Sequence, residues 1–204
     1  MKRWLGLLSA ALLLNACTAI NTKQGEVANK DAYQTRAEQI SAIKNWSLSG
    51  RLSLDDGQDG GSGKLKWSVA PTSSSLDFFA AMGRGAWHLE SSEAGALMRD
   101  AQGEYFAPDV ETLVQQQLGW PVPVEALEWW ARGLVAPGNA LASEVDAQGL
   151  LVSLQQFGWV INISRYDEFD GQLLPVRLDA TRNSYRVKMA ISQWQLQNQQ
   201  STDG

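Results

Sequence analysis

From Trp46 the chain alternates with a period of two. Trp46, Leu48, Gly50, Leu52 and Leu54 fall on one side, and Asn45, Ser47, Ser49, Arg51 and Ser53 on the other. One apolar and one polar side predict a half-buried antiparallel strand. A turn rich in Gly and Asp follows over 55–63, after which Leu65, Trp67 and Val69 repeat the alternation. The chain turns again over 71–74. Leu76 and Phe78, then Trp87 and Leu89, continue the pattern on either side of 80–85. Shorter strands are predicted over 96–99 and 104–107, and two more over 143–146 and 150–155. Trp159, Ile161 and Ile163 alternate, as do Val176, Leu178 and Ala180. Tyr185, Val187, Met189 and Ile191 open a long last strand that runs toward Trp194 and Leu196. That makes about eleven strands at regular spacing with turn signals between them, the pattern of a sandwich or barrel-like sheet. No internal repeat is evident.

Three stretches carry a helical period instead. Tyr33, Ala37, Ile40 and Ile43 predict a helix over 31–44, with Asp31 placed to cap it. Val110, Leu113, Val114 and Leu118 form a stripe over 109–118, with acids in the first turn and Gly119 as a stop. Trp120-Pro121-Val122-Pro123 breaks the chain, and Leu127, Trp129 and Trp130 predict a short helix over 124–132, ended by Gly133.

Upstream of this lies a different kind of segment. Lys2-Arg3 precedes an apolar run over 4–14, and Leu14-Asn15-Ala16-Cys17 closes it at the only cysteine of the chain. A basic start, a short apolar run and a small-residue site make a secretory signal, too short to span a membrane as a mature helix. Its last four residues resemble the lipobox of bacterial lipoproteins, which implies lipidation at Cys17 and removal of 1–16. Thr18, rather than Asp, follows the cysteine, which by the same analogy directs the protein to the outer membrane. Residues 18–30 are polar and aperiodic and read as a tether. Nothing after Cys17 is long and apolar enough for a transmembrane helix.

Charge and composition narrow the function. Of 204 residues, 188 would remain after cleavage, enough for one domain or at most two small ones. The net charge of −5 becomes about −7 once Lys2 and Arg3 are lost. An acidic chain without a basic run offers no footprint for nucleic acid and no polybasic hold on anionic lipid. With no second cysteine there is no internal disulfide. Nine tryptophans suit a wide apolar interior or a face at a membrane interface.

Catalytic chemistry is sparse. His88, the only histidine, falls in a strand on the side opposite Trp87 and Leu89, and no Gly-x-Ser-x-Gly elbow accompanies it. One histidine and a lipidated cysteine leave no zinc-ligand cluster. Asp100, Glu104, Asp109, Glu111, Asp167, Glu168 and Asp170 could supply a glycosidase pair, but all are expected in turns or helix starts. The glycines at 57, 60, 61 and 63 sit among aspartates, which repel phosphate. The unusual stretch is Phe79-Ala80-Ala81-Met82-Gly83-Arg84-Gly85, an apolar connection between two strands where polar residues are the rule. Such a loop marks a membrane or partner contact, or else folds back over the core.

A set of short motifs occurs in order: Trp46-Ser-Leu-Ser-Gly50-Arg51-Leu52, Gly63-Lys-Leu-Lys-Trp67, the Met82-Gly83 loop and Tyr105-x-Ala107-x-Asp109. Leu118-Gly119-Trp120-Pro121-Val122-Pro123-Val124 and the Trp129-Trp130-x-x-Gly133 step come next. Gln156-x-Gly158-Trp159, Tyr166, Pro175-x-Arg177-Leu178 and Trp194 complete the set. Together, over 45–196 and behind a lipobox, these resemble the LolB family of outer-membrane lipoprotein receptors. The resemblance implies an incomplete, strongly curved antiparallel β-barrel of eleven strands, with helices covering a hydrophobic cavity. It implies a layout of signal peptide (1–16), lipidated start and tether (17–30), one lipoprotein-binding domain (31–198) and a polar tail (199–204).

The implied function is transfer without covalent chemistry, so no cofactor, no metal and no catalytic residue is expected. The implied partners are the periplasmic carrier LolA, acylated lipoprotein cargo and the outer-membrane bilayer, with the protein acting as a monomer, lipid-anchored and facing the periplasm. Leu52, Leu54, Trp67, Leu76, Phe78, Trp87, Leu89, Ile161 and Met189 are the candidate acyl-cavity residues. Met82 matches the family's apolar insertion residue, usually leucine, flanked here by Ala81 and Gly83. Two other readings compete: a structural or assembly-factor lipoprotein with a filled core and no lipid cargo, and an envelope hydrolase.

Overall fold

The computed structural model describes residues 29–80 and 85–197. Cys17 and the lipobox therefore lie outside the described residues, as do Ala81, Met82 and Gly83.

Helix α1 (Lys30–Ala42) comes first. It starts one residue ahead of the expected position because Asn29, not Asp31, caps it, accepting the Ala32 N–H at 3.0 Å. Six strands follow: β1 (Asn45–Asp55), β2 (Gly60–Ala70), β3 (Ser73–Ala80), β4 (Ala86–Ser92), β5 (Gly95–Asp100) and β6 (Glu104–Ala107). Helices α2 (Val110–Leu118) and α3 (Val124–Ala131) interrupt, and β7 (Ala140–Val145), β8 (Leu151–Gln156), β9 (Trp159–Phe169), β10 (Gln172–Arg182) and β11 (Tyr185–Gln197) complete the chain.

The eleven strands form one antiparallel sheet in the order β6-β5-β4-β3-β2-β1-β11-β10-β9-β8-β7. First and last strands pair in the middle, and β6 and β7 remain as separate edges, so the sheet is an open barrel. The alternation set out above holds along the strands: Trp46, Leu48 and Leu52 are buried on β1, Leu65 and Trp67 on β2, and Trp159, Ile161 and Ile163 on β9.

Two expectations need correction. Residues 60–63 belong to β2, paired with 52–55 of β1, so the turn shrinks to 56–59; Asp55 and Asp56 side chains close it by accepting the N–H groups of Gly57, Gln58 and Asp59. Four small residues can extend a strand when the partner strand supplies the ladder. The carboxylates are also not all in turns or helix starts. Asp167 and Glu168 lie within β9, opposite Leu174 and Leu173 of β10, and Glu104 opens β6.

Antiparallel alternation gathers the β1–β2, β3–β4, β5–β6, β8–β9 and β10–β11 connections at one end, here the loop end. Helix α1 crosses the other end. Its Asn29 N–H donates to Asp146 in the β7–β8 turn, and Arg36 donates to Leu173 at the start of β10 before the chain enters β1.

Candidate functional site: a roofed apolar concavity

The concave face is built by period-two side chains that have one common side on which to bury. Of the nine candidate residues, Leu52, Trp67, Leu76, Phe78, Leu89, Ile161 and Met189 are buried there. Leu54 and Trp87 are half-buried toward the loop end, with Trp87 stacked on Phe78 at 5.1 Å between centroids. The structure thus brings all nine to one face and packs most of them into a single core with the helices.

The roof over this face is α2 and α3. Asp109 caps α2 through the Thr112 N–H at 2.7 Å, and Gly119 ends it in the left-handed region at φ 71°. Pro123 precedes α3 and gives it no side-chain cap, so Glu111 reaches across from α2 and accepts the Glu125 N–H at 3.0 Å. Each roof helix presents an apolar side to the sheet: Leu113 and Val114 from α2, Leu127 and Trp130 from α3.

Polar ties hold the roof. Gln156, fully buried on β8, accepts from Trp130 Nε1 at 3.0 Å and from the Ala136 N–H at 3.1 Å, and donates to Ala136 O at 2.8 Å. Arg132 lies between two indoles, 5.0 Å from the Trp129 centroid and 5.4 Å from that of Trp46. Burial lowers its pKa, partly offset by Glu128. The Trp159 Nε1–H is buried on the concave face without a hydrogen-bond partner. The alternation does not mark Gln156, Arg132 or Trp159 as a polar feature of the site. A buried glutamine inside a strand reads as a misplaced polar residue, and its only signal was its place in the Gln156-x-Gly158-Trp159 motif.

His88 sits on the convex face. Its Nδ1 is 2.7 Å from Asp77 and its Nε2 2.9 Å from Glu90, while Arg99 joins Glu90 to Glu104. The Glu90 hydrogen bond, with Asp77 beside it, raises the imidazole pKa against a smaller effect of burial. Both ring nitrogens are engaged by carboxylates, so the arrangement is a surface ionic ladder. Among the described residues no three His, Cys, Asp or Glu side chains converge as a metal site, and no helix is long and apolar enough to cross a membrane.

Comparison with known proteins decides the family. The model of one family, described as outer membrane lipoprotein LolB, matches residues 44–194. A protein of Pseudomonas paraeruginosa named outer-membrane lipoprotein LolB is 34% identical over 190 residues, covering 92% of this chain and 93% of its own. One of the same name from Pseudomonas putida strain GB-1 is 33% identical over 186 residues, covering 90% and 91%. The chain belongs to the LolB family. LolB proteins are not enzymes, which removes the hydrolase alternative. Among solved structures, a DUF1329 family protein from Desulfovibrio piger aligns with a TM-score of 0.47 at 10% identity over 84% of this chain and 94% of its own. A LolA superfamily protein from Nitrosomonas europaea aligns at 0.45 and 8% identity over 84% and 95%.

Proposed function

We propose that this chain is a lipid-anchored receptor of the outer membrane, facing the periplasm, which takes acylated lipoproteins from the carrier LolA and inserts them into that membrane. The observation that carries the reading is the roofed apolar concavity in a LolB-family chain. Exposing one long acyl chain to water costs about 10 kcal/mol, at about 0.8 kcal/mol per CH₂, so cargo with several chains needs a continuous apolar path. A curved sheet lined by Leu, Ile, Met and Trp supplies that path without demanding fixed partners. The α2 and α3 side chains pack in the same core as the sheet residues, so uptake of acyl chains requires these helices to move.

Geometry also accommodates the anchor. Cys17 precedes Asn29 by twelve residues, a reach of up to about 40 Å when extended. An eleven-residue strand spans about 36 Å. Lipidation at Cys17 therefore permits the loop end, which carries the Met82 connection, to face the bilayer. Without covalent chemistry, direction follows from relative affinity along carrier, receptor and bilayer.

The test is a transfer assay. Carrier loaded with an acylated lipoprotein is mixed with this chain lacking residues 1–16 and carrying Cys17→Ala, and affinity capture reports where the cargo resides. Cargo on this chain is the expected result. Cargo left on a carrier that delivers to another acceptor would overturn the receptor reading in favour of a structural lipoprotein.

A further inference from the structure

Three connections in the sheet are two-residue hairpin loops with a left-handed residue at the first loop position. Asp170 at φ 49° and Asn183 at φ 53° hold that position between β9 and β10 and between β10 and β11. Asp and Asn are the residues such loops favour, because their short side chains tolerate the left-handed region. Between β8 and β9 the position is taken by Phe157, at φ 52°, followed by Gly158 at φ 77°. A bulky aromatic side chain rarely adopts that conformation.

The strain is not offset by burial. Phe157 is 45% exposed. Its ring edge passes Gly138, where an added Cβ would lie 3.1 Å from Phe157 Cζ, and it forms one wall of an open groove of about 430 Å³ beside Pro121, Val122 and Pro123. Next to it, Leu141 stands in the bulge of edge strand β7, 84% exposed, one position from the Ala140–Gln156 pair. Arg182 lies beside Gly158 and makes no ion pair among the described residues.

Phe157, Leu141 and Arg182 all lie at the loop end. Phe79, also exposed, flanks the apolar β3–β4 connection at that same end, on a strand five places from β9 in the sheet order. Apolar side chains spread around one rim do not make the contiguous patch of a protein-docking surface. Their shared partner is a plane.

We propose that Phe157 is a second bilayer contact of this protein: the β8–β9 turn sets its ring at the headgroup–acyl boundary, with Arg182 reaching lipid phosphate. The inference rests on the receptor reading, which turns the loop end toward the outer membrane. Aromatic and apolar residues beside an arginine are the composition of interfacial contacts, the arginine keeping its charge among headgroups while its stem lies in the apolar layer. Two contacts on different strands fix the tilt of the barrel mouth over the bilayer. One loop alone would leave the domain free to rock about it.

The experiment uses the full-length lipidated protein in vesicles of phosphatidylethanolamine and phosphatidylglycerol. Lipidation consumes the thiol of Cys17, so Phe157→Cys provides a single site for an environment-sensitive fluorophore. Nitroxide lipids should quench that probe to the same extent as one at Met82→Cys, and should leave one at Phe106→Cys, on the convex face of β6, unaffected. Quenching at 82 without quenching at 157 overturns this inference alone. No quenching at either site overturns it together with the membrane-facing loop end.

Phe157→Asn provides a second reading. Because Asn suits the turn, Tm should hold or rise by about 2–4 °C, while cargo delivery to the vesicles slows about fivefold from the lost apolar contact. Unchanged delivery overturns the proposal, as does a fall in Tm that accounts for the slowing.

Discussion

Arg36 on α1 and Arg132 at the end of α3 are joined side chain to backbone: Arg36 Nη2 donates to Arg132 O at 3.0 Å. The same guanidinium donates to Gly133 O at 3.2 Å and to Leu173 O at 2.7 Å, and it lies 5.5 Å from the Tyr166 ring centroid. Tyr33, one turn earlier, accepts the Val135 N–H at 3.0 Å. Helix α1 thus holds the carbonyls that α3 leaves open at its end. Arg36→Ala should cost about 2–3 kcal/mol, lowering Tm by about 5–10 °C in thermal unfolding followed by circular dichroism. Arg36→Lys should recover less than half, since a single ammonium nitrogen cannot span the carbonyls that Nη1 and Nη2 reach separately. An alanine variant with unchanged Tm would show that α1 is held by its apolar contacts alone.

Gly50 occupies an inner-face position where neighbours carry Leu or Trp. The register between β1 and β11 shifts between Ser49 and Gly50, and a Cβ at 50 would lie 2.2 Å from Ala190 O. Bulges of this kind bend a strand and tighten its twist, which a strongly curved sheet requires. Gly50→Ala should destabilise by about 2–4 kcal/mol and speed amide exchange across β1 and β11. Exchange confined to its wild-type rate in both strands would mean that the bulge relaxes around a methyl group.

Much of this fold is legible because the sheet has one wet and one dry side. Trp46 to Leu54 and Trp159 to Ile163 announce their strands by period, and Gly119 and Gly133 announce helix ends by type. Boundaries were less legible where pairing rather than propensity sets them: Gly60 to Gly63 look like loop but bond to β1. The strand expected over 143–146 in fact runs Ala140–Val145, because β7 is an exposed edge whose residues show no burial period. The candidate cavity residues could be placed on a face but not ranked, since core and container use the same alternation. The polar ties were hidden for the opposite reason. Gln156, Arg132 and Arg36 act through tertiary partners far along the chain, and no local pattern records those partners.

Gln156 allows a direct measure of such a tie. Gln156→Leu would leave Trp130 Nε1–H and both Ala136 backbone groups without partners in a dry site. The expected cost is about 3 kcal/mol by denaturant unfolding. Adding Trp130→Phe removes one orphaned donor, so the double variant should lose less than the sum of the two single changes. Strict additivity would show that the Trp130 N–H does not depend on Gln156.

Glu128 on α3 packs against Ser74 of β3, and burial pushes its pKa up to about 7 from an ordinary value of 4.5; Glu125 and Glu111 add to the rise, while the Ser74 hydrogen bond and Arg132 oppose it. Glu111 is raised in the same direction, also by burial. Between pH 4.5 and 7 the unfolded chain has released the Glu128 proton and the folded chain still holds it. Folding therefore takes up a proton, and stability must fall as pH rises through this window and level off above it. His88, raised by its carboxylate neighbours, contributes with the same sign at the upper end. The Glu128 share is about 2 kcal/mol after allowance for its partial exposure. Urea midpoints at pH 5, 6, 7 and 8 should decline for the wild type. Glu128→Gln keeps the contact with Ser74 without a charge to desolvate, so it should match the wild type near pH 5 and exceed it by about 2 kcal/mol at pH 8. Parallel curves for the two proteins would mean that the carboxylate is ionised throughout, and that the seat of α3 against β3 carries no pH dependence.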